Sequence, residues 1–438
     1  LRTIRGLVEW LTRRAGVAPA MIPGMLVMLI GPRIGDVLSF VYGLLLGRWL
    51  SGAEFGQASA ILNAISIPAT ALGVLICRET VWRSARNQHA ELLQYVWRWF
   101  WRVVGATCAL GVLVILFSAY VGTIFRYEYR STTYALAAFI VTTGVGPLWG
   151  SVIQGQRRFL LLGSVPMVQG LSKLLLTAAL LYTGWQVTGV LTAQVLSSVL
   201  VIGWIMLMAQ RRYVAPQPAG QGAATKISDQ WSLLNNVITT AATITLVSID
   251  VLVVNFVFPG VMAGGYAAVS MFGKIATYIP ESIATYLQPY LMHARGAHTQ
   301  NKYYFNISCL IGVAGTLLLA GFFWLCGAGL FSRLLPAYVA YAPYLPLYTL
   351  AMGLMALARM AGTFAMARDD ARVGIWLAGI AVLQLGGFFL FRQTLWHIIG
   401  VELAIAALAA CVGIVLTSTA ASRFAVCSAG SEAEKLRS

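Results

Sequence analysis

Charge is what this sequence has least of. Asp, Glu, Lys and Arg make up 10% of its 438 residues and hydrophobic residues 59%, whereas a soluble domain carries about 25% charged residues. That balance excludes an ordinary soluble fold, and the chain reads as an all-α polytopic membrane protein. No Gly-rich loop followed by Lys and Ser or Thr occurs, so a phosphate-cradling ATPase loop is excluded. The cysteines, Cys77, Cys108, Cys309, Cys326, Cys411 and Cys427, lie in or beside apolar segments with no metal-ligand spacing. They read as reduced, small apolar residues. Leu1 to Arg14 has no signal-peptide core or cleavage site. Its Leu1, Ile4, Leu7, Val8 and Leu11 against Arg2, Arg5, Arg13 and Arg14 predict an amphipathic cytoplasmic segment over 1–15. Acids are scarcer than bases, giving a formal charge of +16. The basic residues lie in short loops and form no contiguous patch, which argues against nucleic acid as a partner.

What is present is apolar sequence in long runs. A crossing needs about 20 mostly apolar residues, and twelve stretches fit: 20–47, 56–77, 100–124, 133–153, 162–183, 187–209, 232–257, 265–290, 305–328, 343–366, 372–391 and 397–419. The stretch 211–230, rich in Pro, Gly, Ala and Gln, reads as a cytoplasmic linker between six-helix lobes at 16–210 and 231–420, with a tail at 421–438. With the N-terminus inside, 21 of the 30 Lys and Arg fall in cytoplasmic segments. Only Arg48, Arg126, Arg130, Arg333 and Arg392 fall outside, and Arg33, Lys173, Lys274 and Arg359 fall within crossings. The positive-inside rule therefore predicts cytoplasmic termini. A faint repeat relates the halves. Ala53-Glu54-Phe55-Gly56 precedes the second crossing as Ala263-Gly264-Gly265-Tyr266 precedes the body of the eighth, and each has an inner proline, Pro68 and Pro280.

Ionisable groups at membrane depth are costly unless they face water, protein or cargo. In the eighth crossing Lys274, Tyr278, Glu281, Thr285 and Gln288 are spaced by four, three, four and three residues, one face of an α-helix. In the seventh, Asn236, Thr240, Thr243 and Asp250 extend a polar face, and the second carries Ser59, Asn63, Ser66 and Thr70. Asp250 and Lys274 fall at similar depth, either as an internal salt bridge or as part of a wider polar surface. Glu281 is the candidate protonatable carboxylate, because burial disfavours the charged form of an acid; the bland reading is a hydrogen-bonded structural Glu. Arg33 and Asp36 share a face beside Gly31, Pro32 and Gly35, where the missing Pro32 donor predicts a broken helix and a hinge carrying a cargo-facing Arg. The alternative is a self-neutralising pair. Lys173 has no acid near it in sequence, and Arg359 either snorkels to headgroups or faces inward. Converging, Arg33, Lys173, Lys274 and Arg359 would make a cationic chamber suited to phosphate, with Asp36, Asp250 and Glu281 for ion coupling or pairing. Asn63, Asn236, Thr240, Tyr278 and Gln288 would line it. Asp369 and Asp370 read as a helix cap rather than a glycosyltransferase acid pair. Trp97, Trp99 and Trp101 read as an interfacial anchor, and His293 and His298 lack further ligands for zinc.

Several stretches resemble one family. Gly52-Ala53-Glu54-Phe55-Gly56, Gln154-Gly155-Gln156-Arg157-Arg158-Phe159, Asp250 with Val251 and Leu252, and Ala263-Gly264-Gly265-Tyr266 look like the polysaccharide biosynthesis flippases. These are the Wzx-like lipid-linked oligosaccharide exporters of the multidrug/oligosaccharidyl-lipid/polysaccharide (MOP) superfamily, and the resemblance runs over nearly the whole chain. It implies a V-shaped bundle of two six-helix lobes around a positively charged central cavity in the bacterial inner membrane. It also implies alternating access, outward movement of an undecaprenyl-diphosphate-linked repeat unit, and coupling to proton or sodium gradients without a bound cofactor. Membrane lipids and a polysaccharide polymerase or export complex would be its partners. The membrane potential favours outward movement of each negative charge by about 2.3 kcal/mol per 100 mV. Two rivals stand beside this reading. One is a cation-coupled multidrug antiporter of the same superfamily. The other is a membrane polymerase or glycosyltransferase, against which the short outer loops argue.

Overall fold

The computed structural model describes residues 22–85, 89–127, 129–155, 159–211, 230–278, 280–281, 298–367 and 370–435, and in some helical stretches, chiefly 22–30, 71–85 and 419–435, the backbone alone. The amphipathic segment 1–15, most of the linker 211–230, Gln156 to Arg158, Thr285, Gln288, His293 and Asp369 lie outside the described residues.

Among the described residues thirteen α-helices follow one another: α1 Ile22–Trp49, α2 Gly52–Ala85, α3 His89–Leu116, α4 Ser118–Phe125, α5 Arg130–Gly155, α6 Phe159–Tyr182 and α7 Gln186–Arg211. Then come α8 Gln230–Val257, α9 Gly260–Gly273 with a 3-10 turn at Lys274–Thr277, and α10 His298–Leu334. A 3-10 segment at Pro336–Tyr344 leads into α11 Leu345–Ala367, α12 Ala371–Leu390 and α13 Leu395–Lys435. No strand occurs among the described residues. Among the described residues nine stretches are long and apolar enough to cross a membrane. Of the other three expected crossings, 20–47 and 56–77 fall on α1 and α2, and 265–290 falls on α9 and its 3-10 turn as far as the described residues reach. The chain is a multi-pass helical membrane protein, as the apolar runs predict.

Local chemistry sets the helix ends. At α2 the Ser51 N–H donates to Glu54 Oε2 at 2.9 Å and the Glu54 N–H to Ser51 Oγ at 3.3 Å, a reciprocal capping box. At α12 Asp370 is the N-cap, accepting from the Arg372 N–H at 3.1 Å, so the acidic-cap reading holds for Asp370. The Arg372 guanidinium returns two further bonds, at 3.0 and 2.9 Å. Asp370→Ala is expected to lower stability by about 1 kcal/mol and Asp370→Asn by less, since Asn caps equally well; thermal unfolding in detergent reads the difference.

One expectation is corrected. Pro32 does not break its helix: α1 runs from Ile22 to Trp49 with Pro32 inside it. The neighbouring glycines serve packing instead of a break. A side chain at Gly31 would collide with the backbone of Gly163, and one at Gly35 would stand 2.7 Å from Pro166 Cβ. Packing against α6 supports the helix where a main-chain donor is missing, as neighbouring helices do in membranes.

The chain divides into two compact units, one of Leu1–Leu45, Ile76–Leu116 and Ser131–Ala224, the other of Leu46–Leu75, Phe117–Arg130 and Thr225–Ser438. In the first, α6 packs along α7, Leu161, Val165 and Val168 meeting Val201 and Ile205, with Ile153 of α5 in the same core. In the second, α11 is the central element, touching α8, α9, α10, α12 and α13, and the stretch Pro336–Met366 is 72% buried. Its sequence allows this. Ala351, Gly353, Ala356, Ala358, Ala361 and Gly362 keep its surface thin on several faces, the small-residue rule of helix contacts in membranes. Phe305, Leu357, Met360, Phe364 and Ala410 fill the remaining space.

Candidate functional site

The most enclosed polar cluster lies in the second unit and is built on α8, α9, α11, α12 and α13. Asp250, wholly buried on α8, accepts hydrogen bonds at Oδ2 from the Tyr266 hydroxyl at 3.0 Å and the Tyr348 hydroxyl at 2.6 Å. The Tyr348 hydroxyl also lies 3.0 Å from Ser270 Oγ. Asp250 Oδ1 has no hydrogen-bond partner, and the Lys274 ammonium stands 3.9 Å from it. Lys274 donates to Asn63 Oδ1 on α2 at 3.0 Å, and Asn63 is oriented by its own bond to the Ser59 carbonyl at 2.8 Å.

A second carboxylate completes the cluster. Glu402 on α13 and Gln384 on α12 are both fully buried. Gln384 Nε2 donates to Glu402 Oε2 at 2.8 Å and to the Leu246 carbonyl, one turn before Asp250, at 3.0 Å. Glu402 lies within electrostatic reach of Asp250 and Lys274. Glu402 Oε1 and Gln384 Oε1 accept no hydrogen bond. Two acids, one lysine and three unsatisfied acceptor oxygens are therefore gathered in the interior of one unit. With both acids ionised the cluster holds one uncompensated negative charge, which a dry interior does not tolerate without a proton or a cation.

The other site residues form separate groups. Arg359 on α11 pairs directly with Glu281. In the first unit Arg33 pairs with Asp36 at 2.8 Å, both about one third exposed. Lys173 donates to Ser39 Oγ at 2.8 Å and lies 5.0 Å from the centre of the Tyr42 ring, a cation–π contact. The Tyr42 hydroxyl in turn accepts from Gln194 Nε2 at 3.1 Å. Three of the four intramembrane cations thus meet a carboxylate: Arg33, Lys274 and Arg359. Lys173 makes no ion pair among the described residues, although the Asp36 charge reaches it. Asn236 and Thr240 are buried on α8, Thr240 reaching Met366 Sδ at 3.7 Å. Tyr278 is half-buried, and Gln288 lies outside the described residues. Among the described residues no His, Cys, Asp and Glu group has the makings of a metal site.

Glu402, Gln384 and Tyr348 are absent from the sequence-derived site. The signal for Glu402 was present, since it is an acid inside the crossing 397–419 and falls under the same rule that singled out Asp250. Gln384 and Tyr348 carry no such mark, because uncharged polar residues are common in crossings.

Solved structures supply the comparison. The fold is similar to the outward-facing conformation of a multidrug resistance MATE family transporter of the MOP superfamily. The TM-score is 0.66 at 16% identity, covering 91% of this chain and 96% of that one. The inward-facing conformation of such a transporter gives 0.68 at 14% identity over 91% and 98%. A MOP superfamily transporter from Pyrococcus furiosus, described as having a binding pocket of reverse polarity that suggests a different function, gives 0.66 at 17% identity over 91% and 95%. No protein-family profile and no curated protein matches the sequence. The first two neighbours are described as MATE transporters and the third as a MOP superfamily transporter, and none of the three is described as a Wzx-like flippase. All three are described as transporters.

Proposed function

We propose that this chain is a cation-coupled exporter of small organic molecules that works by alternating access, with Asp250 and Glu402 as the coupling acids. The observation that carries this reading is the buried cluster in which Asp250 faces Lys274 at 3.9 Å and a second fully buried carboxylate, Glu402, is bonded to Gln384, which also reaches the Leu246 carbonyl of α8. Losing or gaining one proton or monovalent cation switches such a cluster between a neutral and a charged state, and charge in a membrane interior is where ion gradients act on proteins. The likeness of fold to MATE transporters supports the reading. So does the pairing of Arg33, Lys274 and Arg359 with acids, which leaves little free positive charge for an anionic cargo. The chain would lie in the bacterial inner membrane with both termini cytoplasmic, arranged as six-helix lobes at 16–210 and 231–420.

The test is transport by the purified protein in proteoliposomes under an imposed pH or sodium gradient, using fluorescent organic cations as cargo. Wild type accumulates the dye in proportion to the gradient, whereas Asp250→Asn equilibrates it without accumulation. Accumulation by Asp250→Asn equal to wild type would refute the coupling role.

A second reading keeps the polyprenyl-diphosphate-linked oligosaccharide as cargo, with outward flipping for surface polysaccharide synthesis. Lys173 favours it: a basic group at membrane depth, held by a hydroxyl and a ring and by no ion pair among the described residues, is available to a diphosphate. Translocation of a labelled polyprenyl-diphosphate sugar in the same vesicles, lost in Lys173→Ala, supports this cargo. Dye transport without lipid translocation supports the first.

A further inference from the structure

Two arginines from the first half of the sequence close on helix ends from its second half, and both contacts lie within the second unit. Arg48, in the last turn of α1, donates from Nε to the Leu334 carbonyl and from Nη2 to the Arg333 carbonyl, each at 2.8 Å. Arg126, just after α4, donates from Nη2 to the Phe256 carbonyl at 2.7 Å and from Nη1 to the Phe258 carbonyl. These acceptors lie at the C-terminal ends of α10 and α8. There an α-helix leaves carbonyls without partners and carries its partial negative charge. Neither guanidinium has an ion-pair partner among the described residues, so helix ends take the place of a counter-ion.

Arg126 is fixed from two further directions. Its backbone is left-handed, with φ 61°, a conformation uncommon outside glycine, and its carbonyl accepts from Gln57 Nε2 of α2 at 2.6 Å. Between the two arginine contacts the main chains themselves meet: a side chain at Gly264 would run into the backbone of Gly52, and one at Gly260 would stand 3.0 Å from Ala53 Cα. All of this gathers at the end of the helices that carries the first, third, seventh and ninth connections, which the Lys and Arg count predicts to be outer. Both arginines are exposed. A charged donor at such an edge exchanges carbonyls for water at small net cost, so the contact is reversible.

We propose that Arg48 and Arg126 form a two-point latch that fastens segments 46–75 and 117–130 to helices α8–α10 in one state of the transport cycle and lets go in the other. The inference rests on the alternating-access reading above. It says which contacts must break, and it assigns the arginines a conformational role separate from cargo or ion binding.

Hydrogen–deuterium exchange of the full-length protein in lipid nanodiscs tests it without reference to any cargo. In Arg48→Ala/Arg126→Ala, amide exchange over 49–57 and 256–266 rises about tenfold or more, while exchange in the buried helix α11 stays at the wild-type level. Should that variant fail to insert, Arg126→Lys keeps the charge but not the two-carbonyl grip, and exchange over 256–266 rises about threefold or more. Unchanged exchange in these segments in a folded variant overturns the latch. If exchange rises in a protein whose wild type shows no gradient-driven transport, the latch stands and the coupling reading falls.

Discussion

Glu402→Gln abolishes gradient-driven accumulation and leaves the protein folded. Glutamine keeps the shape and the acceptor that meets Gln384 at 2.8 Å but carries no charge for a proton or cation to neutralise. One charge moving through the membrane potential is worth roughly 2.3 kcal/mol per 100 mV, so losing that ion lowers the accumulation ratio by about fiftyfold at 100 mV. Stability should hold or rise, because the substitution removes the excess negative charge from a buried cluster in which Asp250 and Lys274 compensate one another. The measurement is paired: dye accumulation in proteoliposomes and thermal unfolding of the same preparation. Wild-type accumulation in a folded Glu402→Gln protein would remove Glu402 from the coupling site. Loss of folding would show that its charge is needed for structure.

Lys274→Met should be the most destabilising single change in the cluster. It strands Asp250, whose Oδ1 has no hydrogen-bond partner and whose facing cation is the ammonium 3.9 Å away. Removing one partner of a buried pair costs about 3–5 kcal/mol, which is roughly 3–5 °C in melting temperature for a chain of this size. The double variant Lys274→Met/Asp250→Asn should recover most of that loss, because Asp250 is then no longer a stranded charge and the net charge of the cluster is again that of wild type. Non-recovery would mean that Lys274 acts mainly through Asn63, to which it donates at 3.0 Å.

The fold was legible because bilayer thickness writes itself into the sequence as apolar runs of fixed length, and within the described residues the twelve runs fall on helices, nine of them long and apolar enough to cross. The clustering within the site was less legible, and the eighth crossing shows why. Lys274, Tyr278 and Glu281 share a face only if the helix keeps 3.6 residues per turn throughout. The chain instead winds as a 3-10 turn over Lys274–Thr277. Each residue there advances by roughly 120° in place of 100°, so the residues beyond Thr277 are rotated by about 80°. Lys274 accordingly meets Asp250 and Asn63, while Glu281 meets Arg359 on α11. Pro32 is the converse case. The sequence marks a missing donor, but only the packing of Gly31 and Gly35 on α6 shows that the helix continues through it. The partners of Arg48 and Arg126 are backbone carbonyls more than a hundred residues away, and no residue pattern encodes those.

The approach of Gly52 to Gly264 leaves no room even for a β-carbon between the two main chains. Main chains that approach this closely leave no gap for a water molecule at that contact. Contact through peptide groups in place of side chains means that, whenever the two segments are together, the closeness of fit depends on no rotamer.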